Sequence, residues 1–515
     1  MVKKGGWLKI ALLVLVLALC FLLVYFIHLA YPYGMVEPES ATLVAAEPYP
    51  FPLHNDEWAH LAMGLAIAEE KKLNFNPYLN TPITDREVGF HLVLASIFMI
   101  PKINPVLAYQ FFAPIMLVIN SLLLFFLVYK LTKNYWIGLF AIFFFAAIKS
   151  NTNLLGNWFF TPITFSLALM FTYFYFFTKA LEAKSKPLLW FGLSALLFVI
   201  MLFVYPLAAV LAAVISFVYA LTKINFIKKN WKLILFFGVL CAALAWFFIR
   251  QYFWAGTLSG TFNKFFSELV FKKGWTSLEH TYSLLSIYGL IPLILAAIGV
   301  IYLLLKKKSW LFLIWPALLL LNLLLFILFQ ISLFLPYQRN LFYLLVGLAP
   351  LSAFGLCWLS EMLFINSKKY VFKKKKYGSL PAVLLVLLVL LLTFSNYYKV
   401  EPAEFSLQRV ITVPEYNALL WLKENYSLYQ VVLAKPFLSA TVYPVSQDRV
   451  VGMMPSSLEG GNYEQAYDFF ILGCEQKQKI IEDENVSFVI SNDEISCSFL
   501  GKIYQDDGII IYLAG

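Results

Sequence analysis

Apolar runs long enough to cross a bilayer recur along this chain, and no other feature constrains its fold as much. A spanning helix takes roughly 20 residues. Runs near that length bracket as 7–30, 106–130, 135–149, 160–181, 187–204, 206–222, 231–250, 283–305, 309–334, 341–362 and 380–396, about eleven in all. The pair 187–204 and 206–222 flanks Tyr205-Pro206 and reads either as two helices or as one kinked helix. Composition agrees: 61% of residues are hydrophobic, against roughly 45–50% in soluble domains. The start "MVKKGGWLKIALLVL" has the basic opening of a signal peptide. Its apolar stretch is too long for one and no A-x-A site follows, so it reads as a retained first helix.

The net charge of +10 would suit a nucleic-acid partner in a soluble protein. Here the basic residues cluster between apolar runs, as topology signals do, and nucleic acid is excluded as a partner. With the N-terminus inside, "YKLTKN", "KALEAKSKP", "LTKINFIKKNWK", "LLLKKKSW" and "NSKKYVFKKKKYGS" all fall on the inner side. One cluster, "FKKGW" with Lys272 and Lys273, departs from the pattern. The expectation is a multi-pass protein of the cell (plasma) membrane with a cytoplasmic N-terminus. "HNDEWAH" (54–60), "SNTNLLGNW", residues 251–282, "PYQRN" (336–340) and everything after 396 then share the outer face.

Two domains follow: a transmembrane domain, 1–396, with a first outer loop at 31–105, and an extracytoplasmic α/β domain, 397–515. In the second, Thr412 and Glu415 have capping-box spacing ahead of a periodic helix. "QVVLAKP" and "DRVVGM" read as buried strands, "QKQKIIEDEN" then "VSFVIS" as helix into strand, and "KIYQDDGIIIYLA" as a hairpin turning at Asp507-Gly508. Asn425-Tyr426-Ser427 and Asn485-Val486-Ser487 are glycosylation sequons. Cys474 and Cys497 are either a disulfide or two buried thiols.

The stretch "HNDEWAH" concentrates chemistry: Asp56 and Glu57 stand between His54 and His60. A helix start explains an Asp-Glu pair without function, as a cap and a complement to the helix dipole. Against that, the pair directly follows the first spanning helix. The loop then bends back through two expected interfacial helices, 57–73 and 88–101. A lone arginine, Arg339, sits outside in "PYQRN". Glu57-x-x-His60 puts both side chains on one helix face, where a divalent ion could be held.

Those segments together resemble the GT-C superfamily of membrane glycosyltransferases, whose members carry an acidic motif in the first outer loop. "NDEWAHLAMGLAIAEEKKLNFNPY" is similar to that motif and its helix. "VGFHLVLASIFMIPKINPVLAYQFFAPIMLVINSLLLFFLVYKLTKN" resembles the following interfacial and second spanning helices. "PYQRNLFYLLVGLAPLSAFGL" resembles the late arginine segment, and the tail resembles the outer domain that many prokaryotic members append. The resemblance implies an α-helical polytopic glycosyltransferase of GT-C type that moves a sugar from a polyprenyl-phosphate-linked donor to a protein, glycan or lipid acceptor. It implies Asp56 as general base, Glu57 as its partner, and both as ligands of a possible Mg or Mn ion. Substrate binding would fall to Arg339, through phosphate oxygens, with Arg86, His91, Tyr337 and His60; Lys102 is a lesser candidate. The "WWDYG" motif of oligosaccharyltransferases is missing, and "KSNTNLLGNWFFTP" holds no carboxylate. Monosaccharide transfer is therefore favoured over transfer of a whole glycan to asparagine.

Two other readings stand beside it. A lipid or glycan flippase would place ionisable groups at mid-membrane on broken helices. Here Asn322 and Gln330 are the main polar residues of a late helix, Lys149 and Arg250 lie at helix ends, and no internal repeat is visible. An inactive GT-C-like scaffold would keep the same motif. No P-loop, GxSxG, CxxC or HExxH motif occurs.

Overall fold

The structure is a computed structural model that describes residues 4–30, 33–34, 43–44, 48–150, 154–182, 186–253, 256–267, 269–272, 284–370, 380–397, 410–454, 458 and 460–515. Among these, six helices are long and apolar enough to cross a membrane: Trp7–Leu29, Pro105–Thr132, Pro162–Glu182, Pro187–Val204, Leu311–Phe329 and Tyr337–Met362. The other five runs contain shorter apolar helices, Tyr135–Ala146, Pro206–Leu221, Gly238–Gln251, Leu290–Lys306 and Leu384–Thr393. Two of these five lie within longer helices, Trp231–Phe253 and Leu380–Tyr397. In run 283–305 the chain breaks at Gly289 (φ 86°) between the short helix Leu284–Tyr288 and Leu290–Lys306. The ambiguity at Tyr205-Pro206 resolves as two helices, since Tyr205 is extended (φ −157°, ψ 93°). The chain is a multi-pass membrane protein. The basic segment 371–379, and all of "FKKGW" beyond Lys272, lie outside the described residues.

Two compact units divide the chain. One comprises residues 1–27 and 113–405; the other comprises 28–112 and 406–515.

In the first unit, apolar helices pack through small residues, as membrane helices do where backbones approach closely. A Cβ built on Gly299 would lie 2.0 Å from the carbonyl oxygen of Leu351, and one on Gly355 the same distance from that of Leu295. Asn322 is bound internally. Its Oδ1 accepts the Leu333 N–H (2.7 Å) and its Nδ2 lies 2.9 Å from Asn340 Oδ1, which ties its helix to the strand Ile331–Leu333. That strand pairs antiparallel with Val270–Lys272.

The second unit is built on a five-stranded sheet ordered Leu500–Asp506, Ile509–Ala514, Phe488–Ser491, Val431–Leu433, Arg449–Val450. The first two pairings are antiparallel and the last two parallel. Thr412 and Glu415 form the expected capping box at the start of Val413–Asn425, and the hairpin turns at Asp507 and Gly508, both at positive φ. "DRVVGM" contributes only the two-residue strand Arg449–Val450. Leu433, Phe469, Val489, Ile510 and Tyr512 fill the core, and Cys474 is disulfide-bonded to Cys497.

Residues 55–70 run as the α-helix Asn55–Leu65 and the π-helical turn Ala66–Glu70, ended by Lys71 at φ 59°. The helix Val88–Phe98 packs against it so tightly that a Cβ on Gly64 would meet Leu94 Cβ at 2.8 Å. An interfacial helix would keep one face open, but every residue from Glu57 to Ala68 is buried. The reason is the tail: its helix Pro436–Ser446 packs on Asn55–Leu65. Tyr78 Oη donates to the Ala440 carbonyl (2.6 Å), the Tyr443 hydroxyl donates to Glu70, and Gln447 Nε2 donates to Glu69.

Candidate active site in the first loop

The helix Asn55–Leu65 begins on His54, whose extended backbone and ring place Nδ1 to accept the N–H of Asp56 (3.0 Å). Glu57 bends back and its Oε2 accepts the N–H of Leu53 (2.8 Å). With orphan donors of the first turn met this way, the cap reading holds for His54 and Glu57. Asp56 differs. Its carboxylate is about one-fifth exposed, stands 3.8 Å from His54 Nδ1 and faces the positive end of the helix dipole. Buried Tyr109 lies within electrostatic reach of both Asp56 and Glu57.

One turn along, His60 enters a buried polar chain. Its Nδ1 lies 2.9 Å from His91 Nε2, and His91 Nδ1 lies 2.6 Å from Asp85 Oδ2. Because a carboxylate only accepts, His91 carries its proton on Nδ1; its Nε2 then accepts from His60 Nδ1–H. Burial, then the fields of His91 and His54, hold the His60 imidazole well below its ordinary pKa, so it is neutral near pH 7. Asp85 Oδ1 also accepts the Glu87 N–H (2.9 Å), and its own N–H reaches Asn74 Oδ1 (3.3 Å). Glu87 Oε2 approaches His60 Nδ1 to 3.9 Å. Metal-ligating atoms of His60, Glu87 and His91 all lie within 4.8 Å of one another.

The donors that the fold gathers are therefore His60, Glu87 and His91, whereas Asp56 and Glu57 do not form such a cluster with a third ligand among the described residues. Asp85 and Glu87 were missed by the motif reading. The signal for them was the spacing Asp-x-Glu-x3-His over 85–91, a counterpart of Glu57-x-x-His60.

The remaining expected residues are dispersed. Arg86 is exposed between Asp85 and Glu87. Lys102, at φ 70°, edges a cavity of about 320 Å³ shared with Glu69, Asn104, Tyr416 and Lys423. Arg339 belongs to the helical unit: it stands in the first turn of Tyr337–Tyr370, and its Nη1 donates to the Leu154 carbonyl (2.9 Å). Beside it the Tyr337 ring stacks on Phe326, with centroids 4.5 Å apart.

No protein-family model matches the chain, and no curated protein matches it. Solved structures do. The apo oligosaccharyltransferase of Archaeoglobus fulgidus superposes with a TM-score of 0.59 at 13% identity, over 95% of this chain and 70% of that one. The same enzyme, AglB, in complex with an inhibitory peptide and a dolichol-phosphate gives 0.54 at 14% identity, over 94% and 70%. ArnT from Cupriavidus metallidurans bound to undecaprenyl phosphate gives 0.56 at 11% identity, over 99% and 98%. AglB and ArnT are both GT-C superfamily membrane glycosyltransferases. The chain has the GT-C fold. At these identities the likeness is one of fold, and it embraces both the helical unit and the tail. In this chain the acidic pair opens Asn55–Leu65, the next helix after Lys4–Ala30 among the described residues.

Proposed function

We propose that this protein is a membrane glycosyltransferase that moves a single sugar from a polyprenyl-phosphate-linked donor to a protein, glycan or lipid acceptor outside the cell membrane. The observation that carries the reading is the near-complete match to the GT-C fold, with Asp56 partly exposed on the first turn of the first-loop helix. AglB has been solved with a dolichol-phosphate and ArnT with undecaprenyl phosphate, which supports a polyprenyl-phosphate carrier here.

Asp56 acts as general base. A carboxylate withdraws the acceptor hydroxyl's proton as the oxygen attacks the anomeric carbon, and the carrier phosphate leaves. Glu57, engaged with the Leu53 N–H, fixes the helix start that aims Asp56. A Mg or Mn ion would supply charge stabilisation to the leaving phosphate, held in this reading by Asp56 and Glu57. Arg339 and Tyr337 are assigned to donor binding on the family resemblance, and Arg86 to the acceptor side. Since "KSNTNLLGNWFFTP" holds no second carboxylate, a monosaccharide remains the favoured cargo.

The test is sugar transfer in membranes supplied with a radiolabelled polyprenyl-phosphate sugar. Asp56→Asn is expected to reduce transfer on the order of 10²–10⁴-fold, with chain level and thermal midpoint unchanged. Wild-type transfer by that variant removes the reading.

A further inference from the structure

We propose that His60, His91 and Glu87 form a transition-metal site, of the zinc class, that clamps the helix Asn55–Leu65 to the start of Val88–Phe98. It is distinct from the cation proposed at Asp56.

Geometry supports the assignment first. A tetrahedral ion bound at ~2.0–2.1 Å has ligand–ligand edges of about 3.3–3.4 Å. The observed separations straddle that edge: 2.9 Å for His60 Nδ1 to His91 Nε2 and 3.9 Å for His60 Nδ1 to Glu87 Oε2. The third edge, His91 to Glu87, lies within 4.8 Å, so side-chain movements of about 1 Å bring all three edges to the tetrahedral value. The ion takes the place of the proton between the two imidazoles, and His60 changes tautomer, its ring proton passing from Nδ1 to Nε2, so both rings bind as neutral imidazoles.

Outer-shell chemistry points the same way. A metal-ligating histidine donates its other ring N–H to a carboxylate, which fixes the ring and its tautomer. His91 does this with Asp85 at 2.6 Å, leaving Nε2 aimed at the cluster. Asp85 is in turn held by the Glu87 and Asn74 contacts and is buried. The carboxylate that orients His91 and the loop that presents Glu87 are therefore one structure.

The donor set selects the ion. Two imidazoles and one carboxylate suit zinc and its neighbours, whereas magnesium and calcium prefer all-oxygen shells. Two histidines and one glutamate leave a fourth position for water. Both histidines are only 3% exposed, which suits an ion that joins two helices. His60 lies one helical turn after Asp56, so the clamp sets the position of the turn that carries the proposed base.

The experiment is a Zn²⁺ titration of the full chain, purified in detergent and stripped with a chelator. It is followed by calorimetry, and by the visible d–d bands of the Co²⁺-loaded protein. Wild type is expected to take up one ion per chain. Glu87→Gln, on the partly exposed loop, should weaken binding at least 10-fold, and Asp85→Asn by 10–100-fold, as for other outer-shell carboxylates. Asp56→Asn should leave zinc affinity within twofold, so this result stands or falls separately from the loss of transfer. No uptake by wild type overturns the proposal. So does loss of the ion in Asp56→Asn but not in Glu87→Gln, which would place the metal at the acidic pair. Should His91→Ala fail to fold, the Glu87 and Asp85 variants still decide.

Discussion

Asp448 gives a test of the tail whose size follows from one buried carboxyl. The residue is 2% exposed, and its Oδ1 accepts the N–H of Gln430 at 3.0 Å, next to the Arg449–Val450 strand. Burial pushes its carboxyl from 3.8 up to about 6, against hydrogen bonds from Ser446, Gln430 and Tyr429 and the attraction of Lys423. A carboxyl whose pKa is raised by folding favours the folded state only while protonated, so stability falls as pH rises from about 4 to about 6 and is level above that. At about 1.36 kcal/mol per unit, the charged group costs the fold about 3 kcal/mol at pH 7.5 and about 1 kcal/mol at pH 4.5. Asn does not titrate. The new amide brings its own fixed cost, about 1–3 kcal/mol if a donor is left without a partner, and that cost cancels between the two pH values. The stability of Asp448→Asn relative to wild type should therefore improve by about 2 kcal/mol between pH 4.5 and pH 7.5. For a unit of about 200 residues that is roughly 4–8 °C in midpoint. Thermal unfolding of both proteins in one detergent at the two pH values measures it. A mutant-minus-wild-type difference that stays constant, or falls as pH rises, refutes the account of Asp448.

Three further substitutions probe packing. Replacing Cys474 and Cys497 by Ser opens a link between positions 23 residues apart, and should cost the second unit about 3 kcal/mol, read as a lower midpoint that reductant no longer alters. Gly299→Ala sets a methyl 2.0 Å from the Leu351 carbonyl; with backbone on both sides, a loss of roughly 3 kcal/mol or more should appear as a fall in monodisperse protein on gel filtration. Tyr78→Phe removes the donor to the Ala440 carbonyl and should lower the denaturation midpoint by about 1–2 kcal/mol, while leaving zinc uptake intact.

What could be read from sequence was whatever short-range physics fixes. Spanning helices declare themselves by length and apolarity, and the Thr412–Glu415 box and the Asp507-Gly508 turn by side chains a few positions apart. The misreadings are long-range. Residues 57–73 carry an amphipathic pattern suited to an interface, but a helix nearly 400 positions later covers them through Tyr443 and Gln447, and no periodicity can announce its own cover. Sequence left Cys474 and Cys497 open between a disulfide and two thiols, and the fold that brings them together decides for the disulfide. At the site, the divide runs through a single turn. Glu57 looked catalytic because it adjoins Asp56, yet its Oε2 serves the Leu53 N–H. His60 was paired with Glu57 by spacing, and the fold joins it instead to His91, 31 positions away. Sequence proximity picks out the acidic pair and gives no sign of the His60–His91 contact, since a partner 31 positions away is set by the fold. Asp56 keeps its place in the proposal for the opposite reason: its carboxylate is partly exposed, and the His54 Nδ1 that stands 3.8 Å from it already accepts the Asp56 N–H. A partly exposed carboxylate set on the positive end of a buried helix is the ground on which the proposal names Asp56 as the base.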